Sequence, residues 1–106
     1  MTIRYKNAKT DLTTTDATAV LTPDNATTAV IKSILVSEDS GNADTITLTI
    51  TAGSDVFSLF KVKAVSANGT VELLSAPLVL AESEILKATA ATANRLHVVV
   101  SYMEIS

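Results

Sequence analysis

Residues 45–51 read Thr45-Ile46-Thr47-Leu48-Thr49-Ile50-Thr51, so that apolar residues and threonines alternate without exception. Successive side chains of a β-strand point to opposite faces, which gives this segment one apolar face and one hydroxyl-bearing face. Every residue but the leucine is β-branched, and β-branched side chains favour a pleated strand. Turn-forming residues bound the segment on both sides, at 40–42 and 53–55. We therefore predict a central strand of an antiparallel sheet.

Short apolar segments separated by turn residues continue along the rest of the chain. Asn68-Gly69 predicts a tight hairpin. Apolar residues occupy odd-numbered positions up to Leu59 and even-numbered positions from Phe60 onward, and this change of parity predicts a β-bulge. Residues 10–17 are threonine-rich and indicate a loop or a loose edge strand. A helix over residues 81–93 is an alternative because Ala, Glu, Leu and Lys favour one, but we prefer a strand. Together with the segment 45–51, which lies within residues 44–52, the predicted strands span residues 18–22, 28–37, 44–52, 56–65, 70–74, 78–80, 84–90 and 95–105.

This pattern predicts one all-β domain over residues 1–106, an antiparallel β-sandwich or jelly roll of about eight strands. The chain of 106 residues has no cysteine, so neither disulfides nor thiolate metal sites are expected. Its net charge of −3 argues against nucleic-acid binding. Two Tyr, two Phe and no Trp argue against aromatic platforms for sugars or single strands. No apolar run approaches the ~20 residues of a membrane span, and no basic amphipathic segment suggests membrane binding.

Residues suited to chemistry are scarce. His97 is the only histidine, and its neighbours place it on a strand surface. Glu38, Asp39, Asn42 and Asp44 offer oxygen ligands for calcium, but they lack the spacing of a calcium loop, so we favour solvated turn residues. No phosphate loop and no nucleophile elbow are present. We therefore predict no enzymatic activity, no cofactor and no small-molecule substrate.

Two predicted strands, residues 28–37 and 95–105, carry apolar residues on both faces. A small sandwich has one interior, so the second apolar face is expected to meet another copy of the chain. The alternative is that loops 38–44 and 81–83 cover it. We favour self-association, through Ile31, Leu35, Val99, Met103 and Ile105.

The N-terminal segment has a basic character. Arg4, Lys6 and Lys9 precede the first acidic residue, Asp11. Residues 1–16 are therefore a candidate docking arm that binds an acidic neighbour through these three cations. An edge strand with ordinary surface lysines is the alternative. The segment also lacks the apolar run of a signal peptide, so we expect synthesis in the cytoplasm.

The whole layout resembles a known class of proteins. Residues 13–38 read TTTDATAVLTPDNATTAVIKSILVSE, residues 44–51 read DTITLTIT, and residues 73–105 read LLSAPLVLAESEILKATAATANRLHVVVSYMEI. This order of strands and turns resembles the small, cysteine-free virion structural proteins of tailed bacteriophages, especially marine and cyanobacterial phages. The matching positions are 27–37, 78–90 and 98–105. One departure is Glu82-Ser83-Glu84, where such chains often carry Gly-Asp.

The resemblance implies a capsid cement (decoration) protein, made in the host cytoplasm and placed on the outer head surface of the virion. It further implies a homotrimer that bridges neighbouring subunits of the phage major capsid protein. A tail, neck or fibre-attachment subunit is an alternative of the same structural class. A carbohydrate- or receptor-binding β-sandwich module is a second alternative, against which the shortage of aromatic residues counts.

Overall fold

The computed structural model describes all residues, 1–106, and contains nine β-strands and no helix. The strands are β1 (Ile3–Leu12), β2 (Thr18–Leu21), β3 (Thr28–Glu38), β4 (Asp44–Ala52), β5 (Asp55–Val65), β6 (Thr70–Glu72), β7 (Leu78–Leu80), β8 (Glu84–Ala90) and β9 (Leu96–Ile105). All strand pairs are antiparallel.

The strands form two sheets that pack face to face. The five-stranded sheet has the order β1-β9-β3, with β6 and β7 both paired to the free edge of β3. The four-stranded sheet has the order β2-β8-β4-β5. This is the strand order of a double-sheet jelly roll in which β6 and β7 together occupy one strand position. The predicted antiparallel sandwich with jelly-roll character is confirmed.

The segment 45–51 lies within β4, between β8 and β5, as a central strand. Ile46 and Leu48 have no exposed surface, and Ile50 is nearly buried, while the threonines face outward. Residues 84–90 form strand β8, which pairs with β2 and β4 along its two edges. The helix alternative for this region was wrong because Leu86, Ala88 and Ala90 all enter the core at strand spacing.

A β-bulge in β3 corrects one interpretation of the sequence. The register with β9 shifts between Ile31 and Ser33, so apolar residues of opposite parity on the two sides of the bulge enter the same core. The Glu72 carboxylate accepts hydrogen bonds from the Ser33 hydroxyl and from the Ile34 N–H at 2.8 Å, which holds the bulge. Ile31 is fully buried. Its assignment to a self-association surface was wrong.

The N-terminal segment is part of the five-stranded sheet. Residues 3–12 form β1, and every one of these residues has a partner on β9, from Ile3 opposite Ile105 to Leu12 opposite Leu96. The loop or loose edge strand predicted over residues 10–17 is edge strand as far as Leu12 and loop after it. Residues 3–12 form an edge strand and do not extend away from the domain.

Candidate interaction surfaces

The outward face of the five-stranded sheet carries rows of apolar side chains, which we call the apolar face, and one polar row of Asn7, Ser101 and Ser33 separates them. Directly opposed residues on neighbouring strands share a face, so the register decides its membership. Tyr5 lies opposite Met103, Met103 opposite Val30, and Val30 opposite Val79, which makes one row across four strands. The other members are Ile3 and Ile105, which pair with each other, and Val99 and Leu35, which pair with each other.

The apolar face is open to solvent. Tyr5 is 80% exposed and Val79 57% exposed, whereas Val30, Val99, Met103 and Ile105 are half-buried by their neighbours. Leu35 remains 39% exposed. Loops 38–44 and 81–83, which were the alternative to self-association, therefore do not cover it. Large exposed apolar patches of this kind mark interaction sites.

Four of the five predicted self-association residues meet on the apolar face: Leu35, Val99, Met103 and Ile105. Tyr5 and Val79 were missed by the sequence reasoning, because both become members only through pairing with strands distant in sequence. The available signal was the Ile3, Tyr5 spacing in the N-terminal segment, which already has the two-residue period of a strand.

The outward face of the four-stranded sheet has a different chemistry. It presents the threonines of β4 with Thr89 and Lys87 of β8, since Thr47 lies opposite Thr89 and Thr49 opposite Lys87. We call it the threonine face. The sandwich therefore has one apolar and one hydroxyl-rich outer surface.

Further exposed apolar side chains lie along β5, the edge strand of the four-stranded sheet, on both of its faces, because Val56 pairs with the outward Thr51 and Phe57 with the inward Ile50. Val56, Phe57 and Val62 are each more than half exposed, and Lys61 and Lys63 are exposed beside them. We call these five residues the β5 edge. The outer side of this strand has no neighbouring strand, so its backbone groups are also available.

Two irregularities shape the β5 edge. The register with β4 shifts between Leu48 and Thr49, which confirms the bulge predicted near Leu59, and shifts again between Ile46 and Leu48. At the second shift Val62 has φ of 54°, a conformation that a β-branched residue rarely adopts. Its N–H donates to the Thr47 hydroxyl at 3.1 Å. The strained valine presents an apolar side chain to solvent, and backbone outliers of this kind are common at binding sites.

The three cations of the predicted docking arm do not form one patch. Arg4 and Lys6 lie on the side of β1 opposite to Lys9, because strand side chains alternate. The Lys6 ammonium pairs with the Glu104 carboxylate at 3.1 Å. Lys9 donates a hydrogen bond to the Asn7 side chain at 2.8 Å and borders the apolar face.

The acidic loop after β3 is organised by Glu38, whose buried carboxylate accepts hydrogen bonds from the N–H groups of Ser40, Gly41, Asn42 and Asn68. Burial by itself raises the pKa of Glu38. The hydrogen bonds from the Ser40 hydroxyl and from the backbone of Asn68, Ser40 and Gly41 outweigh burial and lower the pKa to about 2. The carboxylate thus ties two turns together and stays ionised.

His97 lies between two carboxylates near the end of the apolar face. Its Nε2 is 3.3 Å from Asp11 Oδ1, and its Nδ1 is 3.5 Å from Asp39 Oδ2. Each carboxylate takes a different ring nitrogen, so the three groups do not converge on one point. No cluster of three or more His, Cys, Asp or Glu side chains is arranged to hold a metal ion.

No protein-family model matches this chain, and no curated protein matches it in sequence. The structure contains no helix of the length and apolarity needed to cross a membrane.

Proposed function

We propose that the chain is a capsid cement protein of a tailed bacteriophage, which binds the outer head surface and bridges neighbouring major capsid subunits. One observation supports this most strongly: a small domain carries exposed, unpartnered apolar side chains in two separate places, the apolar face and the β5 edge. A bridging protein must hold two neighbours at once, and two such surfaces meet that need.

In this proposal the apolar face binds other copies of the chain, and the β5 edge binds the head. Association of copies presents several β5 edges together, so weak contacts to a repeating head surface combine into stable attachment. The bound copies add buried area between capsid subunits, which resists the outward pressure of packaged DNA.

The β5 edge suits an apolar and acidic patch on a capsid subunit. Burying the exposed parts of Val56 and Phe57 contributes roughly 1–2 kcal/mol each. Lys61 and Lys63 add complementarity to acidic groups and increase the association rate. The free backbone edge can also pair with an extended segment of the partner.

The fold is compatible with this function without selecting it. Double-sheet jelly rolls occur in viral capsid proteins, in lectins and in cupins, and a fold by itself does not determine function. The shortage of aromatic residues counts against a carbohydrate-binding module, and only one Tyr, Tyr5, is prominently exposed.

The test is co-sedimentation of the purified chain with heads of the encoding phage that lack it. Phe57→Ser and Lys63→Glu should each weaken head binding about tenfold or more, because each removes a β5-edge contact. Lys87→Glu, on the threonine face, is the matched charge reversal and should bind like the wild type.

The outcomes separate the proposals. Equal binding of all variants would show that the β5 edge is not the docking surface. No binding of the wild-type chain to heads would refute the cement function, and recovery of the chain with isolated tails or necks would favour the alternative structural position.

A further inference from the structure

We propose that the apolar face binds a second copy of this chain, face to face, about a two-fold axis that runs along the strands. The inference rests on the self-association in the proposed function and names its partner and geometry. It does not depend on a phage head.

The symmetry follows from the strand order β1-β9-β3-β6/β7. A two-fold rotation about an axis parallel to the strands leaves each cross-strand row at the same position along the strands. It exchanges the two edges of the sheet. Strand β1 of one copy then lies over β6 and β7 of the second copy, and β9 lies over β3. Such a contact uses the same patch on both copies, so it gives a closed dimer to which no third copy can add.

The apolar rows match under this rotation. Tyr5 lies over Val79 of the second copy, and Met103 lies over Val30 of the second copy. In the next apolar row Val99 lies over Leu35 of the second copy. Apolar side chains therefore meet apolar side chains at all four strands of the Tyr5 row and at the two central strands of the Val99 row.

The charges match as well, and they select this axis. Lys9 borders Val99 on one edge of the face, and Glu72 borders Leu35 on the other edge. The rotation places Lys9 over Glu72 of the second copy, and it does so twice. A two-fold axis across the strands instead places Lys9 over Tyr5 and Glu72 over Val79, which leaves both charges without a partner.

Glu72 is available as a charge in this contact. Burial by itself raises the pKa of Glu72, but hydrogen bonds from the Ser33 hydroxyl and from the N–H groups of Ile34 and Leu74 lower it. The carboxylate is therefore ionised at neutral pH. Lys32, at the β3 bulge, is the other nearby charge on the central strands, and it lines a shallow depression with Tyr5, Asn7 and Ser101, between the two apolar rows.

The size of the face sets the expected affinity. Four strand positions at about 4.8 Å and the ten residues of β9 at about 3.3 Å give a face of roughly 600 Å² per copy. The two copies together bury about 1,200 Å², the lower end of specific interfaces. We therefore expect a dimer that exchanges with the monomer at micromolar concentration. A trimer, which the resemblance implies, needs two different patches that fit each other, whereas this face fits itself.

The geometry is tested by cross-linking, because the chain has no cysteine of its own. The double variant Tyr5→Cys, Val79→Cys is treated with a bismaleimide that spans the ~10 Å between packed sheets. Within one chain the two positions are separated by three strand spacings, about 14 Å, which exceeds the reach of this reagent. The double variant should give covalent dimers. The two single variants should not, because each position lies far from its own copy across the axis.

The charge match is tested by sedimentation velocity over a concentration series. Lys9→Glu should weaken the dimer at least tenfold, and Lys87→Glu on the threonine face should leave it unchanged. A chain that stays monomeric at millimolar concentration, a trimer, cross-linking of a single variant as efficient as that of the double variant, or equal effects of the two reversals would each overturn the inference. A dimer that does not bind heads would refute the proposed function alone.

Discussion

Replacing Ile31 with alanine should destabilise the fold about three times as much as replacing Leu35, although the sequence assigns both residues to one association surface. The bulge in β3 separates them. Ile31 is fully buried between the sheets, whereas Leu35 points outward and is 39% exposed. The comparison therefore tests the parity switch that shapes both the core and the apolar face.

The magnitudes follow from burial. Truncating a fully buried isoleucine removes its transfer free energy and leaves a cavity, at a cost of about 3 kcal/mol within a usual span of about 2–5 kcal/mol. Leu35 loses only the burial of the covered part of its side chain and leaves no internal cavity. Its truncation should cost about 1 kcal/mol.

The assay is urea unfolding of the two variants and the wild type, at a protein concentration low enough to keep the chain monomeric, since association adds apparent stability. A cost for Leu35→Ala that equals or exceeds the cost for Ile31→Ala would refute the bulge and the assignment of the two faces. Leu35→Ala should also weaken self-association at higher concentration, because its side chain contributes to the apolar face.

Two further substitutions test the hydrogen bonds of the Glu38 carboxylate and the strain in the β5 edge. The pKa of Glu38 is about 2 in the folded chain against an ordinary value of 4.5, so the unfolded chain binds more protons between these values. Its contribution to stability should be complete above pH 4.5 and should be lost as the pH falls towards 2. In unfolding measured from pH 2 to 7, Glu38→Gln should reduce the fall in the free energy of unfolding between pH 4.5 and pH 2. An unchanged dependence on pH would contradict the role of the carboxylate. Val62→Gly should raise the free energy of unfolding by roughly 0.5–1 kcal/mol, because relief of strain at its positive φ exceeds the added chain entropy. The same variant should bind heads more weakly, and a loss of stability in urea unfolding would show that Val62 is not strained.

Much of the fold follows from local patterns. The alternation in β4 and β8 is strict, and it predicts both their strand character and their buried residues. The bulge near Leu59 is also visible, because apolar parity changes between two adjacent residues. The bulge at Lys32–Ser33 is not, since apolar residues of both parities equally describe a strand covered on two faces. Only the position of the opposite sheet separates these cases.

The interaction surfaces are less predictable because they depend on pairing between distant segments. Strand β1 has few apolar residues, and its place beside β9 depends on contacts nearly the whole chain apart. Tyr5 and Val79 enter the apolar face only through that register. The exposure of Phe57 likewise depends on β5 lying at the edge of its sheet. The strands β6 and β7 of the opposite sheet have only three residues each and leave Phe57 exposed.

The copy number of this chain in purified virions tests the cement function most directly. Quantitative mass spectrometry against the major capsid protein measures it, and gentle removal of tails assigns the copies to the head. We predict on the order of hundreds of copies, all on heads, as a repeating head lattice requires. About six or twelve copies, the number in a single symmetric ring, would contradict the cement function and place the chain in a neck or tail.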